Sequence, residues 1–307
     1  MELLSLGALR CCEEIGMKWS NLGGTSAGAI TASLLASNYT VDELEKLMGD
    51  LDYTQFLSQN TIAITGFNLA AIGDLMLNSK LGQYSTEPFY NWIKEQLNKK
   101  NIETFADLKH NKRVLKIIAT DLTRAEMIVC PDSFSSEHPH YSLAIPEGIE
   151  NFEVAKAVLM SMSIPVFFEP FRLKDNIVVD GGVTSNFPLW LLDCPEGEEP
   201  ECPTFGFRLV DTTATPNIDS PLDLIKGLIR AMRYSHDRFY LQHKDQGRVI
   251  NLDLTGIDVT ATKFNLTDED KAMLYVRGYQ CTRRFLLNTW SWKTHLEARN
   301  IRDSIAK

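Results

Sequence analysis

The chain of 307 residues has no run of about 18 apolar residues, so no stretch of it reads as a helix able to cross a bilayer. It has no excess of basic charge. Against 31 Lys and Arg stand 40 Asp and Glu, a net charge of -9 that repels phosphate backbones and argues against nucleic acid as a partner. The same field gives no general attraction to anionic membranes and leaves only a local basic patch open. Cysteine is sparse: Cys11, Cys12, Cys130, Cys194, Cys202 and Cys281 show no paired metal-ligand spacing, so no metal or other cofactor is expected. Cys194 and Cys202 bracket a Pro/Glu-rich loop and would bridge in an oxidising compartment. Cytosolic thiols are the preferred reading, because a chain of this size needs no disulfide staples. The N-terminus, Met1-Glu2-Leu3-Leu4-Ser5, has an acid where a secretory leader needs bases, and no small-residue cleavage site follows. A soluble, unprocessed, cytoplasmic protein is expected, with peripheral contact at membranes left open.

What is present is an ordinary globular composition, 44% hydrophobic and 23% charged, with one unusual stretch. Asn21-Leu22-Gly23-Gly24-Thr25-Ser26-Ala27-Gly28-Ala29-Ile30 contains a G-x-S-x-G pentapeptide, the form of a nucleophile elbow. Met17 to Leu22 reads as a short strand before it, and Ala27 to Ser37 as a buried helix after it. Gly24 and Gly28 are expected to be steric requirements of the tight turn. Ser26 would sit at a helix N-terminus, where free N–H groups and the dipole favour negative charge. The competing reading is a glycine-rich helix entry in which Ser26 only caps the helix.

The rest of the chain alternates. Leu4 to Ile15 reads as a helix closed by Gly16, and Thr40-Val41-Asp42-Glu43 as a capping-box start to a helix ending near Leu51. Gly66 to Leu77 is an apolar segment, read as a core helix in preference to a lid. Helices are expected at Thr86 to Leu97, Thr104 to Leu108, Phe152 to Met160 and Leu222 to Gln242, and two more from Thr267 to Leu287 and from Trp290 onward. Strands are expected at Val114 to Ala119, Met127 to Cys130, Ile177 to Val179, Thr204 to Leu209 and Arg248 to Leu254; Pro131 to Pro146 reads as a loop. This order predicts an α/β fold, a three-layer sandwich with a mostly parallel central sheet flanked by helices. No repeat or linker interrupts it, so one domain over 1–307 is expected, with the C-terminal helices from about 267 packed on it.

Ser26 needs a group to take its proton. A Ser-His-Asp triad would draw on His110, His138, His140, His236, His243 or His295. In α/β-hydrolases, however, the elbow follows several strands, and only 23 residues precede Gly24. The other option is Asp180, which ends an apolar strand and is followed by Gly181 and Gly182. A carboxylate there would project from a sheet edge. The competing reading is an Asp-Gly hairpin, against which Val183 to Leu189 does not alternate as a returning strand.

Taken in order, Gly24-Thr25-Ser26-Ala27-Gly28, Ser161-Met162-Ser163-Ile164-Pro165 and Asp180-Gly181-Gly182-Val183 with Asn186 and Pro188 resemble the blocks of the patatin-like phospholipases. The similarity extends through Ala119-Thr120-Asp121-Leu122 and Phe264-Asn265-Leu266-Thr267 and so covers most of the chain. The resemblance implies a two-residue catalytic site with Ser26 as nucleophile and Asp180 as base. It implies a phospholipid or other fatty-acyl ester as substrate, met transiently at a membrane surface, and it names no protein activator. An ordinary Asp, with a pKa of about 3.9, is a poor base, and partial burial is expected to raise it. One departure is visible. Patatin-like enzymes usually carry a Gly-rich oxyanion loop just before the helix that here starts near Ser5; the given sequence shows none, and Gly7 lies inside the helical stretch. The N–H of Ala27 is then the one obvious oxyanion donor. Two alternatives follow: a catalytically weak or silent lipid- or protein-binding module, and an acyl transferase, whose scaffold generally pairs serine with histidine.

Overall fold

A computed structural model describes residues 2–58, 81–135, 141, 148–195, 198–210, 218–219, 223–224, 227–229, 231–232, 247–257 and 264–298. The apolar segment Gly66 to Leu77, most of Leu222 to Gln242, most of the Pro131 to Pro146 loop, and His138, His140, His236 and His243 lie outside the described residues. In chain order the elements are α1 (Glu2–Glu14), β1 (Asn21–Thr25), α2 (Ala27–Ala36), α3 (Val41–Gly49), β2 (Gly82–Tyr84), α4 (Glu87–Lys99), α5 (Phe105–His110), β3 (Val114–Asp121) and β4 (Glu126–Cys130). They continue with α6 (Val154–Met162), β5 (Val166–Phe168), β6 (Phe171–Leu173), β7 (Asn176–Asp180), β8 (Gly206–Val210), β9 (Val249–Asp253), α7 (Asp268–Asn288) and α8 (Trp292–Ala298). The chain divides into two compact units, one of Met1–Trp19, Thr40–Asp50 and Phe187–Lys307, the other of Ser20–Tyr39 and Leu51–Asn186.

The second unit holds the central sheet. β1 pairs with β3 in parallel, while β4 and β7 pair with β3, and β6 with β7, in antiparallel. The α/β architecture with a helix-flanked central sheet is as expected, but the strand sense is mixed rather than mostly parallel. The reason is connection length. Residues 122–125 join β3 to β4 and residues 174–175 join β6 to β7, and links this short can only form hairpins. The two-stranded sheets β2–β5 and β8–β9 are parallel.

The register around β3 decides where the site lies. Ile117 faces both Gly24 of β1 and Cys130 of β4, so those strands occupy opposite edges of β3. Ala119 faces both Ile128 of β4 and Asp180 of β7, so β7 shares its edge with β1. β1 and β7 therefore lie end to end along one edge, running toward each other. α2 packs on β1 and β3, α6 packs on β3 and β7, and the two helices touch one another. Ile30, Leu34, Val158 and Met160 of these helices and Ile117, Ile118 and Val178 of the strands are all buried.

β1 starts and ends later than the sequence suggests. Met17 donates to Cys12 O (3.1 Å) and Gly16 to Glu13 O (2.8 Å), with Gly16 at φ 83, so this stretch closes α1. The glycines that look like strand breakers are the strand itself, paired with Lys116 and Ile117.

In the first unit α1 lies against α7 at two glycines. A Cβ on Gly7 would fall 1.9 Å from Tyr275 O, and one on Gly278 1.8 Å from Leu4 O, so the two backbones are in direct contact. Arg10 of α1 donates to Glu45 (2.8 Å from Nε) and Asp42 of α3, and Tyr275 Oη donates to Glu45 (2.6 Å). α3 and α7 both begin in capping boxes, at Thr40/Glu43 and Thr267/Asp270.

Candidate functional site

Thr25 closes β1 opposite Ile118, and Asp180 closes β7 opposite the next residue, Ala119. The two strand ends thus meet about one residue step, ~3.3 Å, apart along β3. Ser26 follows the first end and Gly181 the second. The crossover is tight: a Cβ on Gly181 would lie 2.2 Å from Ile118 O. Thr25 Oγ1 donates to Ser185 O (3.1 Å), tying the loop after β7 to β1, and Thr120 Oγ1 donates to Asp180 O (3.0 Å), tying the end of β7 to β3.

Ser26 adopts φ 55 and ψ -129, a conformation that costs a residue with a side chain of order 1–3 kcal/mol. It makes no side-chain cap bond to α2, which removes the reading of Ser26 as a simple helix cap. Its carbonyl accepts from Ala29 N–H (2.8 Å), its N–H donates to Ser161 Oγ (2.8 Å), and its Oγ faces Met162 Sδ at 3.9 Å. The side chain is half-buried and so open to a substrate. Gly24 is required by close approach, since a Cβ there would meet Gly28 O at 2.3 Å. The expectation that Gly28 is equally constrained does not hold. Nothing lies within 4 Å of its Cβ position, because the chain leaves the turn there into the open first turn of α2.

Asp180 is 3% exposed. Its Oδ1 accepts from Gly182 N–H (2.7 Å), and the chain continues into a 3-10 turn, Gly181–Val183. Among the described residues no returning strand pairs with β7 beyond Asp180, so the Asp-Gly pair is not a hairpin. The Asp180 N–H donates to Ser163 O (2.9 Å). Ala27 is the first residue of α2 and half-buried, with its N–H among those a helix start leaves without an intrahelical acceptor.

The structure thus brings Gly24, Ser26, Ala27, Gly28, Asp180, Gly181 and Gly182 to the place where β1 and β7 meet beside β3. It does not bring the described histidines there. His110 is exposed at the end of α5, and His295 is buried in the other unit, stacked on Trp292. Sequence reasoning saw Ser161 to Pro165 as a block but not what it touches. It also gave Asp121 no role. That carboxylate is fully buried at the end of β3, accepting from Thr123 N–H (2.8 Å), Arg124 N–H (3.1 Å) and Tyr141 Oη (2.9 Å), and it holds the β3–β4 turn. Burial and the neighbouring Asp121 push the Tyr141 hydroxyl far up. All six cysteines are thiols. Among the described residues no cluster of His, Cys, Asp and Glu suits a metal ion, and no helix is long and apolar enough to cross a membrane.

A family model described as patatin-like phospholipase matches residues 3–193. The uncharacterized protein YqhO of Bacillus subtilis (strain 168) is 35% identical over 293 residues, 93% of this chain and 94% of its own. The probable lipid hydrolase 463L of invertebrate iridescent virus 6 is 24% identical over 188 residues, 60% of this chain and 57% of its own. Among solved structures, VipD from Legionella pneumophila is similar with a TM-score of 0.53 and 18% identity, a likeness of fold alone. It covers 94% of this chain, which spans 65% of the VipD chain.

Proposed function

Because the chain belongs to the patatin-like phospholipase family, we propose that it is a lipid acyl hydrolase of the phospholipase A or lysophospholipase type, with Ser26 as nucleophile and Asp180 as base. The observation that supports this reading is the meeting of β1 and β7 on consecutive positions of β3, since Ser26 follows the end of the first strand and Asp180 closes the second. The substrate is a phospholipid or another fatty-acyl ester met at a lipid surface.

In the first half-reaction Ser26 Oγ attacks the acyl carbonyl carbon while Asp180 takes the hydroxyl proton. The tetrahedral oxyanion accepts from the Ala27 N–H at the start of α2. Its collapse expels the alcohol, which leaves with the proton from Asp180, and an acyl ester remains on Ser26. Water then gives a proton to Asp180 and attacks that ester, releasing the fatty acid and restoring the serine. Oγ facing Met162 Sδ in the resting arrangement is compatible with this, since catalytic hydrogen bonds often tighten only when substrate binds.

The test is release of labelled fatty acid from phospholipid vesicles. Ser26→Ala should abolish it, and retained hydrolysis would overturn the assignment. A second reading has one observation in its favour: the Ser26 N–H is occupied by Ser161 Oγ, so the elbow supplies the oxyanion with little beyond Ala27. On that reading the chain binds acyl lipid without turning it over, and a fluorophosphonate leaves Ser26 unlabelled.

A further inference from the structure

Ser161 and Ser163 close α6, and both are 0% exposed. They touch the two halves of the candidate site at the backbone. Ser161 Oγ accepts the N–H of Ser26 at 2.8 Å, and the carbonyl of Ser163 accepts the N–H of Asp180 at 2.9 Å. Ser163 Oγ, by contrast, turns back to Leu159 O (2.8 Å) inside its own helix. One rigid helix end therefore reaches both the residue at φ 55 and the residue that closes β7. Neither contact involves a charge.

We propose that Ser161 is the positioning residue of the nucleophile: its hydroxyl holds the strained peptide of Ser26 in the elbow conformation and ties it to the helix end that also holds Asp180. This rests on the reading of Ser26 and Asp180 as the catalytic pair. A φ of 55 persists in a residue with a side chain only where the surroundings over-determine it. Here the constraints are the close approach of Gly24 to Gly28 O, the bond from Ala29 to Ser26 O, and the bond to Ser161. Ser161 is the one side chain among them. Its loss leaves a part-buried N–H without its acceptor, so the Thr25–Ser26 peptide is held less firmly. A change in the Ser26 dihedrals moves Oγ and redirects the Ala27 N–H together, and misplacement on the ångström scale is enough to slow a positioned reaction. The hydroxyl itself touches no reacting atom.

The test is Ser161→Ala beside Ser33→Ala. Ser33 is an equally buried serine on α2 whose Oγ donates only to Ile30 O of its own helix (2.9 Å), so it controls for losing a buried hydroxyl. With a soluble fatty-acyl ester, Ser161→Ala should lower kcat ~10- to 100-fold with KM within about twofold of the parent. Ser33→Ala should leave both within about twofold. A Ser161→Ala kcat within threefold of the parent, a loss confined to KM, or an equal loss in the two variants would overturn the proposal. Amide hydrogen exchange at Ser26, read by NMR, checks the contact without turnover: it should speed up in Ser161→Ala and stay unchanged in Ser33→Ala. Unchanged exchange in Ser161→Ala would also overturn the proposal. If the parent releases no fatty acid yet this exchange pattern is found, the positioning contact stands and the hydrolase reading falls. Should Ser161→Ala not fold, Ser161→Cys keeps a weak acceptor. Its kcat should then be lower than the parent's, and equality would count against the proposal.

Discussion

At its N-terminal end α6 is held by charge. Glu153 accepts from Tyr90 Oη (2.6 Å) and Lys94 Nζ (3.2 Å) of α4 and pairs with Lys156. At its C-terminal end the same helix is held by uncharged groups of two fully buried serines, through Ser161 Oγ to the Ser26 N–H and Ser163 O to the Asp180 N–H. The difference is one of what pH and salt can reach. Burial pushes the Glu153 carboxyl up, but hydrogen bonds from Lys156, Tyr90 and Lys94 outweigh it and bring it down to about 2. The outer end thus contributes stability that varies with acidity, while the inner end fixes geometry with groups that do not titrate.

The largest effect that separates the two ends is expected at Asp180. Asp180→Asn keeps an oxygen for Gly182 N–H, so the turn survives while the base is lost. Steady-state hydrolysis should fall on the order of 10³-fold with an unchanged melting curve. Little loss in kcat would place the base elsewhere.

Next come the glycines packed against backbone at the inner end. Gly24→Ala and Gly181→Ala each force a Cβ against a main-chain oxygen, at 2.3 and 2.2 Å, and should destabilise the protein by roughly 3 kcal/mol in urea titrations.

At the outer end the expected effect is smaller and tied to pH. A carboxylate lowered from 4.5 contributes stability that is fully present above that value and is lost as the pH falls toward about 2. Glu153→Gln should therefore cost about 1–2 kcal/mol at pH 7, allowing for the part-exposed lysines, and nothing near pH 2. Its kcat should stay within about twofold of the parent. A comparable loss of kcat would mean that the two ends are coupled.

The smallest effect is at Gly28, where nothing meets the added Cβ. Gly28→Ala should be neutral or stabilising by up to about 1 kcal/mol, given the helix propensity of alanine. Destabilisation by more than that would show that the first turn of α2 is tighter than the open Cβ position indicates.

Much of the site was legible because its residues carry their own local constraints. Ser26 is marked by Gly24, whose missing side chain the fold demands, and Asp180 by the apolar strand it ends and by Gly181. The start of α3 followed from its capping box at Thr40/Glu43. What the sequence could not reveal was register. Nothing local to β1 or β7 states that they share one edge of β3, since that follows from which strands compete for the other edge. The strand sense was misjudged for a related reason. The turns at 122–125 and 174–175 lack the Asn-Gly or Asp-Gly signal of a hairpin, and Ala125 and Lys174 take positive φ instead (56 and 54). The contacts of Ser161 were equally hidden, because a serine near a helix end looks the same whether its hydroxyl bonds within the helix, as Ser163 does, or reaches another strand.

The direct backbone contact of Gly7 with Tyr275 and of Gly278 with Leu4 has a consequence for how the protein is made. α1 is synthesised first and α7 more than two hundred residues later. A nascent chain leaving the ribosome therefore carries the bare face of α1, with Leu4 and Gly7, until α7 has emerged. The contact between α1 and α7 waits for α7, and a chain cut after Leu266 would never make it.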